Sequence, residues 1–165
     1  LGVEYQDNRV LLPPVLGGSE RALVFVSACE NHEDFEFYLR TPWGETLHKG
    51  CLEASEPTGG RRAGTCDYHT TEEGVTTVKI RNSTRGMYYA YAIYRGEKDI
   101  KESGALLRFV DDVGHCRVFE LGESSVIFDG KCWLALCIDE GHESVISSEP
   151  LNVRILDKVT NKPTA

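Results

Sequence analysis

Short runs of β-branched and aromatic residues, separated by glycine and charged residues, dominate the chain. From Asp34 to Arg40 apolar and polar residues alternate, so that Phe35, Phe37 and Leu39 share one face, as in a half-buried β-strand. Ala22–Cys29 is instead apolar on both faces, which is typical of a central strand in a two-layer core. The pattern predicts an all-β fold.

Further strands of the same composition are predicted along the chain. They are Val75–Asn82, Met87–Tyr94, Ala105–Val110, His115–Leu121, Ser125–Phe128, Lys131–Asp139 and Leu151–Leu156. We expect the turn Thr41–Gly44 to lead into Glu45–His48 as a hairpin, and Arg85-Gly86 to join the strands on either side of it in a second hairpin. Only residues 98–102 could form a helical turn. About ten short strands at steady spacing predict a β-sandwich, with a jelly-roll arrangement as one option.

The ends of the chain have the composition of linkers. Residues 1–20 contain Pro13-Pro14 and Gly17-Gly18, and proline and glycine interrupt regular strands. We therefore interpret residues 1–20 as an N-terminal arm or linker, residues 21–158 as the β-sandwich domain and residues 159–165 as a C-terminal linker. No internal repeat separates further domains.

The chain has six cysteines: Cys29, Cys51, Cys66, Cys116, Cys132 and Cys137. An even number without a C-x-x-C pair favours disulfides over a zinc or redox motif, so we predict a disulfide-stapled sandwich. Six cysteines allow 15 pairings. Cys51 with Cys66, which flank one loop, are the first expected pair; Cys116 with Cys132 and Cys29 with Cys137 follow by elimination. Because Cys132 and Cys137 are five residues apart, they should face opposite sides of their strand. A cytosolic protein with buried thiols is the alternative.

A sequence pattern for N-glycosylation occurs at Asn82-Ser83-Thr84, and we expect Asn82 to be exposed at a strand end. Together with the cysteines it favours the secretory pathway and an extracellular or cell-surface location. The chain starts at Leu1 without a charged and then apolar leader, so we expect an excised ectodomain. No apolar run approaches the roughly 20 residues of a membrane span.

The charge balance bears on the partner. Eighteen basic and 26 acidic residues give a net charge of −8, which disfavours nucleic acids and anionic membranes as partners. We therefore expect a protein partner and leave the oligomeric state open. Arg61-Arg62, directly after Gly59-Gly60, is a local basic exception in a loop. These four residues are the candidate partner-binding residues, because a long loop in a compact domain is often functional; a solvated loop tip is the alternative.

Catalytic and metal-binding patterns are weak, so we predict neither an enzyme nor a cofactor. No serine lies in a G-x-S-x-G motif. The potential zinc ligands match no usual spacing; they are His115, Cys116, Cys132, Cys137 and His142. Calcium stays open as an alternative, because two acidic clusters supply oxygen atoms: Glu30, Asn31, Glu33 and Asp34, and Asp139, Glu140 and Glu143.

Four tyrosines lie within Met87–Tyr94. One interpretation is a binding face, since tyrosine is enriched in interfaces. The other, which we prefer, is a central strand with Tyr89, Tyr91 and Ile93 facing one layer and Tyr88 and Tyr94 facing the other.

The segment Asp34-Phe-Glu-Phe-x-Leu-x-x-Pro42-x-Gly44-Glu45 resembles a hairpin of secreted β-sandwich modules of the YfaP-like kind. Those modules have Asp-Leu-Asp-Leu-x-Val-x-x-Pro-x-Gly-Glu at this point, and Met87–Tyr94 is similar to the tyrosine-rich strand that follows in them. The phenylalanines and the cysteines of this chain depart from that pattern. The resemblance implies an extracellular sandwich and transfers no active site.

We therefore predict a non-enzymatic recognition or adhesion module of a secreted or cell-surface protein, which binds a protein partner through loops at one end of the sandwich. One alternative is an accessory domain of a secreted enzyme that binds carbohydrate or calcium, with Trp43 as the available aromatic platform. Another is a structural domain that spaces or oligomerises its neighbours.

Overall fold

The computed structural model describes residues 20–29, 31–57, 63–140 and 144–147, and in them the fold is all-β, as predicted. The strands are β1 (Glu20–Val26), β2 (Phe35–Arg40), β3 (Thr46–Leu47), β4 (Glu53–Ser55), β5 (Thr65–Thr70), β6 (Thr76–Arg81), β7 (Met87–Tyr94), β8 (Leu106–Val110), β9 (Cys116–Glu120), β10 (Val126–Phe128), β11 (Cys132–Glu140) and β12 (Ser144–Ser147). Two 3₁₀ turns, His32–Asp34 and Ile100–Glu102, are the only helical segments among these residues. The N-terminal arm and the C-terminal linker lie outside the described residues, apart from Glu20.

The strands form two antiparallel sheets. The first sheet has the order β4-β5-β6-β1-β8-β9, and the second has the order β10-β11-β7-β2-β3. β12 pairs with β11 as well, so that β10 and β12 border different halves of the same strand. The predicted sandwich is therefore present, with more strands than the eight of a jelly roll. No helix in the described part of the chain is long and apolar enough to cross a membrane.

The connection through Arg85-Gly86 is not a hairpin, and that prediction was wrong. β6 pairs with β1 and β5 in the first sheet, whereas β7 pairs with β2 and β11 in the second. Residues 82–86 therefore carry the chain from one sheet to the other. Turn composition marks where the chain reverses, but it does not distinguish pairing within a sheet from crossing between sheets.

Two strands were missed because their composition is polar. β4 lies within the segment interpreted as a loop, and β5 pairs with it as well as with β6. On β5, alternate residues Cys66 and Tyr68 are buried, which is the period of a strand with one face in the core. The intervening Asp67, His69 and threonines concealed that period.

The main core lies between the sheets and is rich in aromatic rings. Phe25 of β1 stacks on Phe37 of β2 at 5.4 Å between ring centroids and meets Phe35 edge-on at 5.3 Å. Such pairs contribute about 0.5–1.5 kcal/mol beyond the area they bury. The predicted alternation in β2 is confirmed, since Phe35, Phe37 and Leu39 all belong to this core.

A second buried cluster lies on the opposite face of the second sheet. Tyr38 and Tyr91 stack there with 5.1 Å between ring centroids, beside Tyr89 and Leu134. Tyr88 and Tyr94 point the other way, into the core between the sheets. The prediction that the tyrosine-rich segment is a central strand with rings on both faces is confirmed.

Cys132 and Cys137 lie on the same face of β11, contrary to the prediction. Both belong to the second buried cluster, whereas Ala135 and Leu136 both belong to the core between the sheets. The pairing of β11 with β7 shifts between Leu134 and Leu136. This β-bulge adds one residue to the strand and so inverts the alternation after it.

The strand directions define two ends of the sandwich. The connections 48–52, 71–75 and 95–105 and the described residues between β1 and β2 lie at one end, which we call the β1–β2 end. The connections 41–45, 82–86 and 111–115 and the described residues between β4 and β5 lie at the other, which we call the β6–β7 end. From β1 to β9 the antiparallel registers alternate the connections between these two ends.

Candidate functional site

A cavity of about 200 Å³ opens between the sheets at the β1–β2 end. It draws on the β1–β2 connection, the β5–β6 turn and the start of the β3–β4 connection. The lining residues are Phe25, Ser27, His32, Glu33, Phe35, Glu36, Lys49, Tyr68, Thr70, Thr71, Glu72, Gly74 and Thr76. Ligand sites for drug-sized molecules usually measure about 300–1,000 Å³, so this cavity suits a single side chain or a similarly small group.

Phe25, Phe35 and Tyr68 supply the aromatic and buried part of the lining. The Tyr68 hydroxyl donates a hydrogen bond to the Phe37 carbonyl oxygen at 2.8 Å, which links β5 of the first sheet to β2 of the second. Burial, reinforced by the charge of Glu36, raises the pKa of Tyr68 well above its ordinary value. The hydroxyl is therefore a neutral, fixed crosslink.

Close packing holds the two loops of the cavity together. Gly74 has a φ of +84° and contacts the His32 ring so closely that no Cβ would fit without movement. The β5–β6 turn is closed by the Thr71 amide, which donates to the Val75 carbonyl at 2.9 Å. In the opposite loop, the Asn31 side chain accepts a hydrogen bond from the Glu33 amide at 3.0 Å. These contacts place Glu33 and the β5–β6 turn on adjoining parts of the rim.

The charge of the lining is acidic: three glutamates face one lysine. Glu36 is already engaged, because it accepts a hydrogen bond from the Lys49 amide at 3.3 Å and lies 3.6 Å from the Arg95 guanidinium. Neither Glu33 nor Glu72 has an ion pair or a side-chain hydrogen bond to its carboxylate within the described part of the chain. The rim therefore offers, beside an aromatic surface, two carboxylates that no described residue pairs with.

The candidate partner-binding residues Gly59, Gly60, Arg61 and Arg62 lie outside the described residues. The described residues that flank them, Glu56 and Gly64, follow β4 and precede β5 at the β6–β7 end, and the Glu56 amide donates to the Gly64 carbonyl oxygen at 2.9 Å. The cavity is therefore at the other end of the sandwich from Glu56 and Gly64.

Asn82 is exposed and directly follows β6, as predicted, with a φ of +50°. Asparagine tolerates this left-handed conformation better than most residues. Gly64 packs against the Asn82 carbonyl oxygen and the Thr84 side chain. The glycosylation pattern and Gly64 thus adjoin each other at the β6–β7 end.

All six cysteines are free thiols, so the predicted disulfides are absent from the structure. Cys116 is on the first sheet and Cys132 is on the far face of the second, so these two are separated by the core. Cys29 packs against that core, whereas Cys137 faces away from it. A disulfide requires Cα atoms within about 7 Å and converging Cβ atoms, which these placements do not provide.

The first expected pair, Cys51 with Cys66, is also not formed. Cys66 points into the core from β5, while Cys51 forms an isolated bridge with His48 and its thiol approaches the Glu53 carbonyl oxygen at 3.6 Å. The prediction paired them because they flank one loop in the sequence, but with β4 between them they lie in different surroundings.

Three of the thiols are held in their neutral form by burial. Desolvation raises the pKa of Cys66 to about 12, that of Cys132 to about 12 and that of Cys137 to about 11. Since the thiolate is the nucleophile and the metal ligand, these cysteines are chemically inert at neutral pH. The described members of the hypothetical zinc set do not converge, and His142 lies outside the described residues.

The described residues of the first acidic cluster build a turn. The Asn31 side chain caps the 3₁₀ turn, and the Asp34 carbonyl oxygen accepts from the Arg95 amide at 2.7 Å. Among the described residues no three histidine, cysteine or acidic side chains are grouped as a metal site. Glu30, Glu143 and the side chain of Glu140 lie outside what the structure describes.

Trp43 is only partly exposed. Its indole N–H donates to the Glu45 carboxylate at 2.7 Å, and its ring packs against the core between the sheets. This arrangement fixes the Thr41–Gly44 turn, whose Thr41 hydroxyl donates to the Glu45 carbonyl oxygen. Trp43 is therefore a structural residue of the turn more than an open platform for a sugar.

A second surface lies along the edge of the first sheet, where β9 has a neighbour on one side only within the described chain. Val118 on this strand is 49% exposed. Beside it, a groove of about 250 Å³ between β9 and the second sheet is lined by residues that include Phe119, Val126 and Trp133. An exposed edge strand presents backbone groups that can pair with another strand.

The cavity could not be predicted from the sequence. Its residues come from β1, β2, β5, β6 and three connections, and no local motif unites them. Glu33 was noted only as a member of a calcium cluster, and Glu72 was not noted. Comparison with protein-family models, with curated proteins and with solved structures finds no match to this chain.

Proposed function

We propose that this domain is a non-enzymatic recognition module that binds a protein partner through the loops at the β1–β2 end. The observation that supports this most directly is the cavity whose rim carries Glu33 and Glu72, two carboxylates that have no partner among the described residues. Carboxylates at an open rim are well hydrated, so keeping them charged costs the folded protein little free energy. They also attract and orient a complementary partner. The rigid sheets behind the loops limit the entropy that is lost on binding.

The test uses the domain, multimerised on a fluorescent carrier, on intact cells and on the proteins that they secrete. We expect saturable binding that a protease treatment of the cells removes. Replacing Glu33 and Glu72 by lysine should weaken binding at least tenfold. Asp112→Lys is the matched control, since Asp112 is an exposed carboxylate at the β6–β7 end. Equal loss in both variants, or none in the first, would refute the location.

We further propose that the protein passes through the secretory pathway and is extracellular or displayed on the cell surface. The support is the exposed position of Asn82 at the end of β6. Native protein should lose mass on treatment with peptide N-glycosidase, and the Asn82→Gln variant should not. Unchanged mass of the native protein, together with its absence from the surface of intact cells, would contradict this proposal.

A second candidate function, oligomerisation, is favoured by the edge strand β9. Pairing of β9 with a β9 strand of another copy would extend the first sheet across two molecules. Sedimentation velocity at increasing concentration measures the assembly. The Val118→Lys variant should then remain monomeric, because a charge on an edge strand opposes such pairing. A monomer at every concentration excludes this candidate.

A further inference from the structure

We propose that the cavity at the β1–β2 end binds a basic side chain, lysine or arginine, that the partner inserts as an anchor. This inference rests on the proposed function, because it names the chemistry of the partner at the same site. It assigns the cavity a ligand class: a cation at the end of a short hydrocarbon chain.

The first argument for a basic side chain is the size of the cavity. About 200 Å³ is too small for most cofactors or oligosaccharide chains but adequate for one extended side chain. Anchors of this kind dominate the energy of many protein interfaces, and arginine is one of the residues most enriched among them.

The second argument is the chemistry of the lining, whose buried part is aromatic and whose charged side chains are mostly acidic, with Glu33, Glu36 and Glu72 against Lys49. Phe25 and Phe35 provide a surface for methylene groups, which lysine and arginine both carry between backbone and charge. Glu33 and Glu72 provide carboxylates for the terminal cation. A ligand with the opposite order, an anion on an apolar stem, would meet repulsion from the rim.

The pairing of the charges carries the third step. Glu36 already has Arg95 and the Lys49 amide as partners, so its charge is balanced within the protein. The carboxylates of Glu33 and Glu72 have no such partners in the described part of the chain. A cation bound between them would form charge-assisted hydrogen bonds, which are about twice as strong as neutral ones.

The experiment titrates the ¹⁵N-labelled domain with n-butylammonium and n-propylguanidinium chloride, which represent the two side chains. We expect saturable shifts of the amide signals of residues 32–36 and 71–76, with dissociation constants in the millimolar range for such small ligands. Butan-1-ol has a similar stem without charge, and sodium chloride at matched ionic strength controls for screening.

The variant Glu33→Gln/Glu72→Gln should weaken the binding of both cations at least fivefold. Glu73→Gln is the matched control, because Glu73 is an exposed neighbour in the same turn that does not line the cavity, and it should leave binding unchanged. Equal shifts with butan-1-ol, equal binding by the double glutamine variant, or no saturation would each overturn the inference.

The same titration separates this inference from the proposed function. If the cations bind as expected but cell binding ignores the lysine substitutions, the basic-side-chain site stands and the partner surface lies elsewhere. If cell binding depends on Glu33 and Glu72 but neither cation shifts the signals, the partner surface stands and the basic-anchor inference is rejected.

Discussion

The two ends of the sandwich are built from similar elements, but their charged side chains are paired differently. At the β6–β7 end, Arg81 forms ion pairs with Glu20 and Asp67, and the Arg21 guanidinium donates to the Ser83 hydroxyl at 2.9 Å. At the β1–β2 end, the loops meet over a cavity and leave Glu33 and Glu72 without partners in the described chain.

The difference shows at which end polar side chains are used for contacts within the protein. At the β6–β7 end the chain crosses between the sheets, and side chains from both sheets must hold that crossing in place. The Thr84 amide, for example, donates to the Tyr88 hydroxyl at 2.8 Å across it. The chain also crosses between the sheets at the cavity end, through the β1–β2, β3–β4 and β7–β8 connections, but the carboxylates of Glu33 and Glu72 take no part in holding these crossings within the described chain. These two side chains remain available for another molecule.

The largest change in the free energy of unfolding should come from alkaline pH. It tests whether water is excluded from the core near the β6–β7 end. Burial raises the pKa of Cys66 from 9.0 to about 12, so folding favours the protonated thiol. Its stabilising contribution is complete below pH 9 and is lost as pH rises from 9 towards 12, since only the unfolded chain ionises. The loss is about 1.4 kcal/mol per pH unit for each such group.

Cys132 and Cys137 share this behaviour, as their pKa values of about 12 and about 11 show. Denaturant unfolding at pH 8 and pH 10 measures the change in stability. The Cys66→Ala variant should lose at most about a third of the pH dependence, because Cys132 and Cys137 contribute comparably and buried tyrosines whose pKa is also raised, such as Tyr68 and Tyr91, add to the remainder. Identical pH dependence in wild type and variant would mean that Cys66 is hydrated.

Gly86→Ala should destabilise the β6–β7 end by about 3 kcal/mol, because an alanine must adopt a strained backbone there. Gly86 has a φ of +123°, and an added Cβ would lie 2.8 Å from the Pro42 Cβ. Gly44→Ala is the control: its φ is +96° but nothing lies within 4 Å of an added Cβ, so we expect a loss of only about 1 kcal/mol. Thermal unfolding of both variants measures the difference. Equal losses would show that packing against Pro42 does not close this end.

Tyr68→Phe should cost about 2 kcal/mol at the cavity end, since it leaves the buried Phe37 carbonyl oxygen without its donor. Because Tyr68 links the two sheets beside the cavity, amide hydrogen exchange of β2 and β5 should also quicken. Denaturant unfolding gives the free energy. A cost near zero would indicate that water replaces the hydroxyl, and hence that the cavity is wetter than the structure implies.

Thr84→Val should have the smallest effect, a change in stability within about 1 kcal/mol and of either sign. The Thr84 hydroxyl is buried and has no hydrogen-bond partner among the described residues, so an apolar group of the same shape removes an unfavourable burial. Thr84→Ser is the control that keeps both the hydroxyl and the glycosylation pattern. A loss of 2 kcal/mol or more in the valine variant alone would reveal an unrecognised partner of the hydroxyl.

The sequence determined the fold class and most of the strands, because the alternation of side chains between two faces can be read within single segments such as Phe35–Arg40 and Met87–Tyr94. It did not determine the pairing of β6 and β7, since a turn between two strands has the same residues whether the strands pair or cross to different sheets. Nor did it reveal the bulge at Ala135, which places Cys132 and Cys137 on one face. A bulge depends on the partner strand and leaves no signature in a single apolar run.

For the site, the sequence by itself determined only the exposed position of Asn82, because a turn composition next to a strand end predicts exposure directly. The cavity was decided by the tertiary structure alone: Glu33 and Glu72 are 39 positions apart in the chain and line one cavity only because β1, β2, β5 and β6 bring their loops to one end. The cysteines show the same limit of prediction from the sequence. Their number suggested crosslinks, but only the arrangement of sheets and faces determines which thiols can meet, and in this structure all six are free.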